Sequence, residues 1–319
     1  MNYIILFVLF IGLELVYFKI ADRFNIIDKP NNRSSHTSIT LRGGGIIFPL
    51  AIIVAFFLGY VSWMVVIAVL LVAVISFIDD IRPLSQLPRF ASHTIAVSLI
   101  FYSLGLFDQA IWILPILFIL TIGWVNIFNF MDGINGITVL YAFVTILSFS
   151  FLKINYDSIP LLITMGLSCC AFGFFNVRKK AKTFAGDVGS ISMALFLGYF
   201  MLKTIFGTGQ IEYILFISLY GIDGILTIVA RIKRKENIFE PHRSHLYQYL
   251  ANELKYPHIA VSVLYAVIQL LLNGVTIYLV NIKASILEVV LFLVLQVAVY
   301  LFIRNRVLQK VNLVKEQMV

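Results

Sequence analysis

The chain has 319 residues, of which 61% are hydrophobic and only 13% charged, with a mean hydropathy of +0.96. A soluble domain usually carries about a quarter charged residues and under half apolar ones, so soluble globular folds, disordered chains and disulfide scaffolds are excluded. The net charge of +8 would suit nucleic acid, but the basic loops of a membrane protein account for it without such a partner.

A membrane-spanning helix needs about 20 mostly apolar residues. The hydropathy pattern predicts an all-α polytopic membrane protein with eleven spans, at roughly 2–21, 43–62, 63–78, 90–107, 110–127, 136–153, 158–176, 189–206, 211–230, 258–280 and 285–303. The first run has no basic residue before its apolar core and no small-residue cleavage site, so it reads as a retained span. Cys169 and Cys170 are adjacent inside an apolar run and support neither a disulfide framework nor a metal cluster. No soluble domain interrupts the pattern, so residues 1–319 read as one integral domain.

Basic residues set the orientation. Of 24 Lys and Arg, 21 fall around the connections after the first, third, seventh and ninth spans and in the tail, all on one side; only Lys153, Lys203 and Lys283 lie near the other. The positive-inside rule then places the N-terminus outside and the C-terminus in the cytoplasm. Nearly every carboxylate, histidine and Gly-rich segment lies on the basic side, in loops at about 22–45, 79–90, 126–136, 177–190 and 231–257. A transporter is expected to place such groups near the bilayer midplane.

Five constellations occupy those loops. Asp28-Lys29-Pro30 through Arg33, His36 and Arg42-Gly43-Gly44-Gly45 brings basic and hydroxyl groups before a triple glycine, suited to phosphate or to a plain positive-inside loop. Asp79-Asp80 closes the third span after about 16 apolar residues, roughly 24 Å of helix, with the two carboxylates about 100° apart and so in different roles. Acids at a helix C-terminus oppose the macrodipole, which argues against a purely stabilising pair.

Asn126, Asn129 and Asp132 share one helical face before Gly133, Ile134, Asn135 and Gly136. Amide and carboxylate oxygens together suit Mg²⁺, whereas a simple C-cap would explain Gly133 alone. Phe184-Ala185-Gly186-Asp187-Val188-Gly189-Ser190 opens the eighth span; Asp187 there reads equally as an N-cap or as a metal ligand beside a phosphate-ready helix N-terminus. Finally, His242-Arg243-Ser244-His245 offers hydrogen-bond donors for a diphosphate or sugar.

Taken in chain order, these motifs resemble the polyprenyl-phosphate N-acetylhexosamine-1-phosphate transferases, the glycosyltransferases that start lipid-linked glycan assembly. The resemblance runs from about Asp28 to Gln248. It implies a multi-pass enzyme of the bacterial cytoplasmic membrane, with its active site on the cytoplasmic face. In that reaction polyprenyl phosphate attacks the β-phosphate of a UDP-sugar and UMP leaves.

The same resemblance implies catalytic roles for Asp79, Asp80, Asp132, His242 and His245, with Asp79 deprotonating the lipid phosphate. It implies Mg²⁺, with Mn²⁺ as the alternative, on Asp187 and Asn129. Substrate contacts fall to Arg33, His36, Arg42 and Arg243, with Gly133, Ile134, Asn135 and Phe184 around the uridine. A homodimer is a further implication.

Asn135, where the lipid I-forming branch has Asp, and the spaced His-Arg-Ser-His pattern look more like the branch initiating O-antigen and other surface polysaccharides. That points to a UDP-N-acetylhexosamine or a deoxy derivative. Two rival expectations remain at this point: a transporter or flippase of lipid-linked or anionic substrates, for which Asp223 inside the ninth span is the best sign, and a scaffold subunit.

Overall fold

The computed structural model describes residues 2–30, 38–237 and 242–316. Arg33 and His36 lie outside the described residues.

Among the described residues, eleven helices of 11 residues or more correspond one by one to the apolar runs. They are α1 (Tyr3–Arg23), α2 (Ile47–Phe57), α3 (Trp63–Ile81), α4 (Gln86–Ser103), α5 (Ile113–Phe130), α6 (Ile137–Ser150), α7 (Ile159–Asn176), α8 (Gly186–Thr208), α9 (Ser218–Lys233), α10 (His258–Asn281) and α11 (Ile286–Glu316). Eight segments among the described residues are long and apolar enough to cross a membrane. The other three differ for local reasons. α2 and α6 form short apolar helices, Gly44–Phe57 and Ile137–Ser150, and α4 begins with the polar turn Gln86-Leu87-Pro88-Arg89.

Packing places α8 at the centre: 83% of its apolar window is buried, against 17% for the peripheral Ile286–Val314. Phe196 and Phe200 of α8 are fully buried, and Phe200 meets Phe149 of α6 at 5.9 Å. Close approach of α8 to the turn before α2 depends on two glycines, because a Cβ at Gly45 would sit 2.3 Å from the Cα of Gly189.

Lipid-like surroundings provide no hydrophobic drive between helices, so buried polar side chains act as ties. Gln269 of α10 is the main one. It accepts from the Tyr141 hydroxyl (2.7 Å) and the Leu219 amide (3.0 Å) and donates to the Leu215 carbonyl (2.9 Å). The last two groups belong to the junction where the 3-10 turn Ile211–Ile217 passes into α9, which would otherwise leave backbone groups unpaired.

The connections after α1, α3, α5, α7 and α9 all meet at one end of the bundle. A two-residue ribbon, β1 (Ile27–Asp28) against β2 (Thr40–Leu41), shapes the first of them. Leu41 also bridges Thr183 in the connection after α7. On the basic side, α3, α4 and α5 extend further into the connections than the sequence pattern predicted. The third loop connection shortens to residues 82–85, and α5 runs through Asn129 to Phe130.

Candidate active site

Asp80 organises the centre. Its side chain is fully buried; it accepts the Arg42 Nε–H at 2.7 Å and the backbone amides of Asp187 and Val188 at 3.0 Å each. The orphan amides at the start of α8 are therefore capped by a carboxylate 107 positions earlier. This corrects two expectations for that turn. Asp187 is not the N-cap, since the cap position is Ala185 without a side-chain bond, and the α8 amides of Asp187 and Val188 are not open to a phosphate. Gly186 makes the approach feasible. Its φ is +70°, and a Cβ there would lie 2.5 Å from Asp80 Oδ2.

Asp79, one residue earlier, points elsewhere. It accepts the Leu84 amide (2.6 Å) and faces Arg89 Nη1 (3.2 Å). Arg89 also reaches Asp187 at 3.5 Å, and Arg42 reaches the other Asp187 oxygen at 3.8 Å. Two arginines thus hold three acids in one partly open cluster, with Asp79 10% and Asp187 20% exposed. Arg42 is fixed from behind by its own carbonyl, which accepts the Tyr17 hydroxyl at 2.5 Å. Burial works against the Arg42 charge, but Asp80, Asp187 and Asp28 outweigh it and raise its pKa further.

Asn129 and Asp132 join from α5 and its loop. Asn129 Oδ1 accepts the Ser190 hydroxyl at 2.5 Å, one turn along α8 from Asp187. Asp132 accepts a short hydrogen bond from Thr138. Burial pushes the Asp132 pKa up from 3.8 to about 6, against the Thr138 bond, with the Asp80 charge adding to the rise and Arg42 opposing it. Asn126, on the same face, bonds back to the Ile122 carbonyl. The four acids expected to converge are linked in one electrostatic neighbourhood.

The remaining expected residues form a second tier. Asn135 donates to the Arg178 carbonyl (2.9 Å) and its own carbonyl accepts Ser262 Oγ (2.8 Å). Asn176 ties the same loop to the next, accepting the Gly136 amide and donating to the Thr183 carbonyl. Phe184 is held by backbone bonds to Leu41 and Gly44. Ile134 is buried.

His242 packs against Phe130 (6.2 Å between rings) and against His245 (4.9 Å), while Tyr247 donates to the Phe130 carbonyl (3.0 Å) and fills the space a Cβ on Gly133 would need. Burial first, then the neighbouring His245 and Arg231, hold His242 down to about 4, so it is neutral at pH 7. Arg243 lies half-buried beside them.

Sequence reasoning missed Arg89, Thr138, Tyr247 and Asn176 as partners. Only Arg89 carried a signal, as a cation at the start of the helix after the acid pair. Asp223, read as a sign of a transport path, is instead fully buried with hydrogen-bond donors on both oxygens.

Hard oxygen donors in this cluster suit a divalent cation. Among the described residues no three His, Cys, Asp or Glu side chains form a ready-made cage. Mg²⁺ is commonly held by one or two carboxylates, with waters and substrate phosphates completing its shell, and Asp187 with Asn129 fits that smaller set.

Comparison with known proteins agrees with the geometry. The model of glycosyl transferase family 4 matches residues 62–205, the segment holding the Asp79-Asp80, Asn129–Gly136 and Gly186–Ser190 motifs. The decaprenyl-phosphate N-acetylglucosaminephosphotransferase of Mycobacterium leprae is 26% identical, covering 72% of this chain and 71% of its own. The probable undecaprenyl-phosphate N-acetylglucosaminyl 1-phosphate transferase of Bacillus subtilis is 24% identical over 73% and 71%. The phospho-N-acetylmuramoyl-pentapeptide-transferase of Streptococcus uberis is 33% identical over 28% of each chain. With its ordered motifs gathered at one end of a helical membrane bundle, the chain is similar to glycosyl transferase family 4 over residues 62–205 and to these polyprenyl-phosphate transferases over most of its length.

Proposed function

We propose that the protein transfers a sugar-1-phosphate from a UDP-N-acetylhexosamine to polyprenyl phosphate, of the undecaprenyl type, releasing UMP and starting a lipid-linked cell-envelope polysaccharide. The site would face the cytoplasm of a bacterial inner membrane, with eleven crossings and the N-terminus outside. One observation carries the reading: Asp79, Asp80, Asp132 and Asp187 gather with Arg42 and Arg89 at the end of the bundle where the basic connections meet.

The chemistry follows from that arrangement. One phosphoanhydride replaces another, so the step needs no separate energy source; the obstacle is bringing two anions together. Arg42 and Arg89, each about one third exposed, supply charge for incoming phosphates. Asp79, at the rim, would take the proton of the lipid phosphate while the lipid tail stays in the bilayer. Asp80 serves by holding Arg42 and the α8 amides.

Asp187 and Asn129 would hold Mg²⁺, which when bound would offset charge on the diphosphate. Asp132 sits beside that pair. His242, His245 and Arg243 would meet the sugar-phosphate end, and Gly133, Ile134, Asn135 and Phe184 the uridine side. The spaced histidines favour a surface-polysaccharide pathway, and the names of the relatives favour N-acetylglucosamine among the hexosamines.

The test is direct. Purified protein is incubated with undecaprenyl phosphate, Mg²⁺ and a panel of UDP-N-acetylhexosamines, and UMP is assayed. UMP release that Asp187→Ala lowers by about 10²-fold or more is expected. No UMP from any member of the panel, or an unimpaired Asp187→Ala enzyme, would overturn the reading or that ligand assignment respectively.

A further inference from the structure

A carboxylate inside a membrane helix is costly unless something holds it. Asp223 lies in the apolar segment Ile211–Lys233 and is 0% exposed. Its Oδ1 accepts His245 Nδ1 (3.1 Å), the Leu246 amide (3.2 Å), the Tyr300 hydroxyl (3.0 Å) and Thr227 Oγ1 (3.3 Å). Its Oδ2 accepts the Tyr265 hydroxyl at 2.7 Å. Arg304 closes the set from behind, donating to Tyr300 (3.3 Å), Thr227 (3.0 Å) and the Ser244 carbonyl (3.2 Å). Four parts of the chain therefore meet at this one carboxylate: α9, the 242–248 loop, α10 and α11.

That much anchoring could serve stability alone, but one atom does not fit such a role. His245 is 1% exposed, and its Nε2 is buried without a hydrogen-bond partner among the described residues. The ring lies between His242 and Tyr247, at 4.9 and 5.7 Å, and both of those side chains close on the Phe130–Gly133 turn of the acidic site. An orphaned polar atom in a buried place calls for a partner that arrives later. A histidine with one nitrogen tied to a carboxylate and the other free also has a fixed ring plane and proton position.

We infer that Asp223 is a positioning residue for the transfer reaction: it pins the His245 Nδ1–H so that Nε2 is presented as an acceptor to an O–H or N–H of the bound sugar nucleotide. The inference rests on the proposed transferase reading and extends it to a residue 33 positions past Ser190, where the preceding motif loop ends. Asp223 touches no substrate; it acts through His245.

The experiment is a double-substitution cycle on the full-length purified enzyme, with UMP release measured against UDP-sugar and against undecaprenyl phosphate. His245→Asn keeps an N–H near the Nδ1 position and lacks Nε2. It should fold as the parent does and raise KM for the UDP-sugar roughly tenfold, the weight of one buried hydrogen bond, with KM for the lipid unchanged. Asp223→Asn should show the same selective rise. The double variant should be no worse than His245→Asn alone, since residues acting through one another are not additive.

Should Asp223→Asn not fold, Tyr265→Phe takes its place in the cycle by removing the hydrogen bond to Oδ2, with the same signature expected. Parental KM values in His245→Asn, or effects of the two positions that simply multiply, would overturn the proposal. A parent enzyme that neither binds UDP-sugar by calorimetry nor releases UMP would instead remove the transferase reading, and this proposal with it.

Discussion

Asp79 and Asp80 are neighbours in sequence and opposites in setting. Asp80 is sealed against Arg42 and two α8 amides, whereas Asp79 stands at the rim beside Arg89. Removing one partner of a buried pair leaves the other uncompensated, and losing a helix cap adds to that. Asp80→Ala should therefore lower unfolding stability by about 3 kcal/mol, read from thermal melts in detergent. Asp79→Asn should leave the melt nearly unchanged and depress turnover; the reverse pattern would exchange their roles.

Asp132 gives a pH signature. Its pKa in the fold is about 6 against an ordinary 3.8, so the native state keeps the proton that the unfolded state has lost. The contribution is fully present below about pH 4 and lost as pH rises through about 6, on the order of 3 kcal/mol. Without divalent cation, the parent should lose stability relative to Asp132→Asn across that window. A constant difference between the two from pH 4 to 7 would refute it.

At the scale of elements, much was legible and the limits have a physical cause. Each apolar run of the sequence became a helix because a bilayer-length hydrophobic stretch has few other ways to satisfy its backbone. The grouping of the motif loops was legible too, from the one-sided basic residues. What remained hidden were pairings across large sequence separations: Asp80 with the α8 amides, Asn176 with Gly136, and Asp223 with His245. Periodicity reports which face of a helix is apolar, not which distant group it meets. Asp223 illustrates the cost of that blindness, since alone it suggested transport.

The close contact of α8 with the turn before α2 yields an element-level prediction. A Cβ on Gly189 would lie 2.6 Å from Gly45 Cα, backbone that cannot swing aside. Gly189→Ala should reduce the folded, monodisperse fraction in detergent severely, while Gly274→Ala on α10, with nothing within 4 Å, should be within about 1 kcal/mol of the parent. Equal behaviour of the two would mean that the helices are further apart than described.

For the whole molecule, function depends on which way the bundle faces. The acids and arginines occupy the end where α1, α3, α5, α7 and α9 finish. A sugar nucleotide is a cytosolic compound, so the proposed reaction requires that end to open to the cytoplasm. α7 spans 18 residues, or roughly 27 Å, and separates Tyr156 in the turn before it from Lys180 in the connection after it; Tyr156 is 59% exposed and Lys180 is exposed. With Cys169 and Cys170 replaced by alanine, a thiol introduced as Tyr156→Cys should react with a membrane-impermeant maleimide in intact spheroplasts. Lys180→Cys should react only in inverted vesicles. If Lys180→Cys labels from outside, the acidic cluster faces away from its nucleotide, and no arrangement of residues within the bundle could rescue the proposed reaction.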